Sequence, residues 1–276
     1  MNFELSDEQQ LIRESVTKLC SDFPDDYWSQ KDKEHEFPWD FYQAMAEAGW
    51  LGIAIPEAYG GSGRGITEAS LVLEEVAASG AAMNGATSLH LSIFGMHPVV
   101  KYGSEEMKQK YLPRVAKGDL HVAFGVTEPT TGSDTTQLKT KAERKGNGYV
   151  INGQKVWTTG AHVSHFMIAL ARSEAGSERQ QGLSQFVIPM DTPGVTVKPI
   201  IDLTGAHEFN EVFFDDAVTE ADLIVRAPKA NYGAEGAGFH FGDKEDCLKC
   251  IHGFFEARQG LYIMNCELEK CIAWFA

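Results

Sequence analysis

No stretch of this 276-residue chain holds the roughly 20 consecutive apolar residues that a membrane-spanning helix needs. Its first ten residues, MNFELSDEQQ, are acidic where a secretory or mitochondrial leader would be basic. Export therefore has no support, and the expectation is an intracellular protein, cytoplasmic or mitochondrial. Positive charge is also scarce. Against 39 Asp and Glu stand 24 Lys and Arg, a net charge of −15 that repels phosphate backbones and anionic membranes, which argues against a nucleic-acid partner. Any anionic ligand must be held locally. The five cysteines are an odd number with four crowded from Cys247 onward, so they do not make the even framework of a disulfide-stapled secreted domain. Missing too are a GxGxxG opening a helix after a strand and a GxxxxGK[ST] loop, which removes the Rossmann fold and the usual nucleotide-phosphate cradles. What remains is a composition 43% hydrophobic, enough for a large core or for two or three modest domains in series.

Up to Gly118 the hydrophobic spacing is helical. Ser6 and Gln9 form a capping-box pattern, and Leu11, Ile12, Val16 and Leu19 recur at helix intervals behind it. A second helix is expected from about Pro38, with Phe41, Met45 and Ala48 along one face and Gly49 as its stop. After the glycine-rich WLGIAIPEAYGGSGRG, a third runs from about Thr67 through SLVLEEVAASG. A fourth covers HLSIFGMHPVVKYG, and SEEMKQKYLPRVAKG closes the series with Ser104 as cap and Gly118 as stop. His90 and His97 have no Cys, Asp or Glu partner at metal-binding spacing and read as packing residues.

At Asp119 the pattern changes. VAFGV, KTKAERK, GYVINGQKVWTT, HFMIALARS, LSQFVIPM, VTVKPI and NEVFFDDAV are short, rich in β-branched and aromatic residues, and separated by Gly, Asn, Asp and Pro. Most of the gaps leave no room for crossover helices, so the sheet should be mainly antiparallel and rolled into a barrel or sandwich. The fold class expected is α+β: a helical domain at 1–118, a β domain at 119–222, and a short atypical helical tail at 223–276.

Between the two patterns lies VTEPTTGSD, Val126 to Asp134, with a proline, a glycine and four hydroxyl side chains. Considered alone it reads as a turn: Pro129 fixes its own φ, Gly132 permits an unusual one, and the hydroxyls can bond nearby backbone. Such a cluster also suits a ligand with many acceptors, since backbone N–H groups and hydroxyls can converge on it.

The ordered set IPEAYGG (55–61), YLPRVAKGD, FGVTEPTTGSD, INGQKVWTTG (151–160) and FDD (214–216) resembles the acyl-CoA dehydrogenase family over about residues 1–225, with a faint continuation at YGAEGAGF. The resemblance implies a flavoprotein that binds FAD. It places Phe124, Val126, Thr127, Gly132 and Ser133 along the flavin and its pyrophosphate, and Ser133 also near a bound thioester substrate. It sets Trp157 beside the isoalloxazine, with Thr158 in the same segment, and Thr159 as a donor near flavin N5. There a hydrogen bond would stabilise the charge that arrives on reduction. Thr130 and Thr131 depart from the small residues many members carry at those positions.

The implied reaction is α,β-dehydrogenation of an acyl-CoA, in which a carboxylate takes the α-proton and the β-hydrogen leaves as hydride. The implied partners are an acyl-CoA substrate, another flavoprotein as electron acceptor, and further copies of the chain in a homo-oligomer. Beyond Phe241 the motifs stop. VRAPKAN (225–231) looks like an insertion, and no family pattern surrounds Glu245, Glu256 or Glu267, so the catalytic base stays unknown. The expectation from this tail is an incomplete C-terminal domain and little turnover by the chain alone. The alternative is an inactive flavin- or partner-binding module. Cys247, Cys250, Cys266 and Cys271 have zinc-like content but poor spacing, and no metal is expected.

Overall fold

The computed structural model describes residues 4–179, 181–220 and 223–225. They form two compact units, one from residues 4–97 and 112–119, the other from 98–111 and the described residues after 119.

In the first unit, α1 (Asp7–Cys20) starts at a complete capping box. The Gln9 N–H donates to Ser6 Oγ at 3.2 Å and the Ser6 N–H to Gln9 Oε1 at 3.0 Å. Then come α2 (Asp25–Glu34), α3 (Trp39–Glu47), α4 (Ile66–Ala78) and α5 (Ala82–Ile93). The stop at Gly49 is a left-handed residue with φ of 84°. Helix α2 escapes the periodicity because DDYWSQKDKE is polar almost all round. It is anchored by buried Trp28, whose indole N–H donates to the Phe23 carbonyl at 3.0 Å. The core joins Val16, Phe41, Met45, Leu51, Val72, Val76 and Leu89, all fully buried. Inside it Tyr42 Oη and Ser92 Oγ hydrogen-bond at 2.8 Å. The glycine-rich loop folds tightly on itself: Ser62, Gly63 and Arg64 donate to the Gly52, Ile55 and Ile53 carbonyls at 3.0, 2.8 and 2.8 Å. A Cβ on Gly61 would stand 2.0 Å from the Ile55 carbonyl oxygen, so only glycine fits there without movement.

The single helix expected over 90–103 is two. α5 ends at Ile93 and α6 (His97–Tyr102) begins after a turn. Gly95 lies where a Cβ would come 2.3 Å from the Leu91 carbonyl, and Pro98 has no N–H to continue a ladder, so the apolar spacing survives while the axis does not. Helix α7 (Glu105–Ala116) begins with the Met107 N–H donating to Ser104 Oγ at 3.1 Å, and Gly118 follows it with φ of 79°.

The second unit is built on one eight-stranded sheet: β1 (Val122–Gly125), β2 (Lys141–Lys145), β3 (Gly148–Thr159), β4 (Phe166–Arg172), β5 (Leu183–Pro189), β6 (Val195–Ile200), β7 (Phe209–Glu220) and β8 (Ile224–Val225). Its order is β6-β7-β3-β2-β4-β5-β8, with β1 on β4. Pairing is antiparallel except for β1 with β4 and a single β2 register on β4. The sheet rolls, so that β1 packs near β3, and the Thr219 hydroxyl of β7 donates to the Val187 carbonyl of β5 at 3.4 Å. β4 is buried from Phe166 to Ala171, which accounts for its unbroken apolar run. Among the described residues between Tyr149 and Pro199 the one helical piece is a single 3-10 turn, Ala161–Val163.

Candidate functional site

The VTEPTTGSD stretch leaves β1 as a tight turn. The Glu128 N–H donates to the Thr131 carbonyl at 2.9 Å and the Thr131 N–H returns to the Glu128 carbonyl at 3.1 Å, with Pro129 and Thr130 exposed at the corner. Gly132 and Ser133 follow, both exposed, and no atom would obstruct a Cβ at Gly132 within 4 Å. Asp134 ends the stretch by capping a 3-10 turn, accepting from the Thr136 N–H at 3.2 Å. The Arg172 guanidinium supports this end, donating to the Thr136 carbonyl at 2.8 Å. Phe124 packs half-buried against Val126, Leu138, Leu170 and Leu183.

β3 is fastened to this turn at two points. The Val156 N–H donates to the Thr127 carbonyl at 2.9 Å. One residue earlier, the fully buried Lys155 reaches Glu128 Oε1 at 2.7 Å and the Val126 carbonyl at 3.2 Å. Glu128, 5% exposed, also accepts the backbone N–H groups of Lys139 and Thr140. Burial works to raise the Glu128 pKa, but Lys155 and these donors together hold it below the usual carboxylate range. Burial pushes Lys155 down to about 8 against the pull of Glu128. Both groups are therefore charged at neutral pH, and each oxygen of the carboxylate has a partner. Gly125 makes room for the lysine stem, since a Cβ there would lie 3.2 Å from Lys155 Cγ and 2.5 Å from Met167 Sδ.

Beyond Lys155 the β3–β7 register slips, with Lys155 opposite Val212 and Thr158 opposite Asn210. The extra residue makes a bulge and re-aims the side chains. Trp157 sits at its crest with φ of 57°, 58% exposed, and its ring meets Phe209 edge-on with centroids 6.0 Å apart. A tryptophan with positive φ is uncommon and carries strain of the kind found at functional positions. Thr158 is buried and its Oγ1 has no hydrogen-bond partner among the described residues, while Thr159 is half-buried at the strand end. The turn and the bulge thus lie side by side, tied at Thr127–Val156 and Glu128–Lys155. Of the residues singled out from the sequence, Val126 and Thr127 stand at that tie, Trp157, Thr158 and Thr159 on the bulge, and Gly132 and Ser133 at the far end of the turn.

Glu128 and Lys155 went unnoticed in the sequence. Each sits inside a motif already quoted, but only the fold shows that TEP and QKVW meet. Among the described residues no group of three or more His, Cys, Asp or Glu could hold a metal ion. Glu245, Glu256, Glu267 and the cysteine-rich tail lie outside the described residues.

Residues 6–119 match the acyl-CoA dehydrogenase N-terminal domain and residues 123–217 the acyl-CoA dehydrogenase middle domain. The acyl-CoA dehydrogenase FadE12 of Mycobacterium tuberculosis is 33% identical over 243 residues, covering 87% of this chain and 61% of that protein. The structure of a glutaryl-coenzyme A dehydrogenase in complex with glutaryl-CoA is similar with a TM-score of 0.75 at 31% identity, covering 83% of this chain and 58% of the other. That of PigA with FAD and proline gives a TM-score of 0.77 at 26% identity, covering 83% and 61%. The chain belongs to the acyl-CoA dehydrogenase family. It spans about three fifths of the length of these relatives.

Proposed function

We propose that the chain serves FAD-dependent α,β-dehydrogenation of acyl-CoA thioesters. The observation that carries this reading is the fastening of the VTEPTTGSD turn to the β3 bulge, which puts a row of small donors beside an exposed indole. The donor set fits the cofactor: the buried Thr158 hydroxyl has no partner among the described residues, nothing crowds Gly132, Ser133 offers an exposed hydroxyl, and Trp157 supplies an apolar wall. Bound FAD supplies the two-electron acceptor for oxidation of a CH–CH bond.

In this reading Phe124, Val126, Thr127, Gly132 and Ser133 contact the flavin and its pyrophosphate through backbone and hydroxyl groups. Trp157 and Thr158 border the ring system, Thr159 donates toward it, and Ser133 also meets the thioester substrate. Lys155 and Glu128 fix the spacing between the two stretches without touching either ligand. The catalytic base is left unassigned. The reading extends to a helical domain at 1–118, a β domain expected at 119–222 that runs past that bound because β8 (Ile224–Val225) pairs with β5 where a helical tail was expected to begin, another flavoprotein as electron acceptor and a homo-oligomeric assembly. No helix among the described residues is long and apolar enough to cross a membrane.

The test is to titrate the purified protein with FAD, then to add straight and branched acyl-CoA thioesters anaerobically with an artificial electron acceptor while following the flavin absorbance. A yellow protein bleached by a thioester supports the enzyme. Flavin binding without bleaching reduces the reading to a flavin-binding module, and absence of flavin binding removes it.

A further inference from the structure

His162 and His207 stack with ring centroids 3.9 Å apart and planes tilted by 20°. Asn210, fully buried on β7, is hydrogen-bonded to both. Its Oδ1 lies 2.7 Å from His207 Nε2, its Nδ2 lies 3.2 Å from His162 Nδ1, and the same Nδ2 donates to the Thr158 carbonyl at 3.0 Å. The carbonyl can only accept, so Nδ2 must face it and the orientation of the whole amide follows. Oδ1 then accepts a hydrogen bond from the His207 Nε2–H, and the second Nδ2 hydrogen points at a bare His162 Nδ1. This arrangement requires a neutral His162 carrying its proton on Nε2.

We propose that His162, Asn210 and His207 are positioning residues that form a proton-sensitive clasp on the Trp157–Thr159 bulge, closed while His162 is neutral and opened when its Nδ1 is protonated. The inference rests on the FAD reading above, since it says how the flavin-facing bulge is held. A proton on Nδ1 would set donor against donor at Asn210. The amide cannot turn over to accept it without setting its own oxygen against the Thr158 carbonyl. If the amide turns, the side-chain bond that holds the bulge from β7 is lost; if it stays, His162 is driven off it and that bond loses its support, so that the strain at Trp157 is free to relax.

Among the charged and titratable groups of the surrounding elements the histidines favour a neutral His162, whereas carboxylates would favour a charged one. From β7 and the loop before it come His207, across the stack, Glu208, and Glu211, whose carboxylate accepts from Gln154 at 2.8 Å. From β6 comes Lys198, lying over the Phe213 ring. Ahead of β1 stands buried His121, whose backbone N–H donates to His165 Nδ1 at 3.0 Å, so that His165 too presents a bare nitrogen there. Burial and then His207 hold His162 below the ordinary histidine value. Part of its ring is exposed, so a proton can reach it from solvent.

The experiment measures FAD affinity by flavin fluorescence from pH 7.5 to 5 for the wild type and for His162→Gln, whose side-chain oxygen can accept from Asn210 without titrating. The expected result is a loss of about tenfold in wild-type affinity across that range, in line with linkage to one proton, and a nearly flat profile in the variant. A flat wild-type profile, or a variant that parallels the wild type, overturns the clasp. In parallel, NMR without flavin follows the His162 Hε1 and Trp157 indole N–H resonances. A shared midpoint below about 6.5 supports the clasp, and an indole resonance indifferent to His162 overturns it. If FAD binds at no pH, the flavin reading falls and the NMR result alone decides the clasp. Should circular dichroism show His162→Gln unfolded, His207→Gln replaces it. It keeps a donor for Asn210 and removes the stacked ring, and the His162 midpoint must then move up.

Discussion

Lys155 Nζ lies 2.7 Å from Glu128 Oε1 with both side chains closed off from solvent, joining the β3 strand to the turn that follows β1. Removing one member leaves the other charge buried and alone, which costs about 3–5 kcal/mol. Lys155→Met should therefore destabilise by that amount in urea unfolding. The double variant with Glu128→Gln should lose less than the two single losses added together. A Lys155→Met protein within about 1 kcal/mol of wild type would show that the pair contributes little.

His121 is almost fully buried, and burial, with His165 and His162 nearby, pushes its pKa down to about 4. The folded value is below the unfolded one of about 6.5, so unfolding takes up a proton between them. Its contribution to stability is complete above about pH 6.5 and drains away as pH falls toward 4, by roughly 3 kcal/mol at most. Chemical denaturation between pH 7 and 4 should show a shallower decline for His121→Asn than for wild type. Parallel declines would mean that carboxylates such as Glu128 account for the acid sensitivity.

Thr159→Val removes the hydroxyl proposed to donate toward the flavin while keeping the branched shape. FAD affinity, or the rate of flavin reduction, should fall by an amount equivalent to about 1 kcal/mol or somewhat more. If both are unchanged, Thr159 does not belong to the site.

Gly61→Ala forces a Cβ against the Ile55 and Gly52 carbonyl oxygens, 2.0 and 2.5 Å away, where both neighbours are backbone. The loop must move, and the helical unit should lose about 2 kcal/mol or more, read as a lowered melting temperature. Gly60, with φ of 80° and an open surrounding, should tolerate alanine better, limited by its backbone conformation alone.

The capping box at Ser6 and the stops at Gly49 and Gly118 could be read directly, because caps act within a few residues of themselves. The strands after Asp119 were legible for the same reason: alternation and turn residues are local signals. Helix α2 was not, since one buried tryptophan in a polar decapeptide leaves no periodic stripe. The break between α5 and α6 was hidden because the apolar spacing runs on past Gly95. At the candidate site the motifs could be quoted, but the Glu128–Lys155 pair spans 27 positions and the Asn210–Thr158 bond 52, and nothing in a single sequence announces such meetings. The positive φ of Trp157 was equally silent, because it results from the bulge against β7.

The β3–β7 ladder also governs when this protein can finish folding as it is made. Gly148 pairs with Glu220 and Thr159 with Phe209, so the long central strand waits for a partner synthesised much later. Contacts between such distant positions carry a loop-closure cost and form slowly. Meanwhile the apolar run of β4 and the largely apolar β5 have already left the ribosome, with their buried faces uncovered. The helical unit up to Ile93 has its neighbours close at hand. Nascent chains of this protein should therefore pass through an interval with settled helices and an unfinished sheet, and it is in that interval that they most need a chaperone.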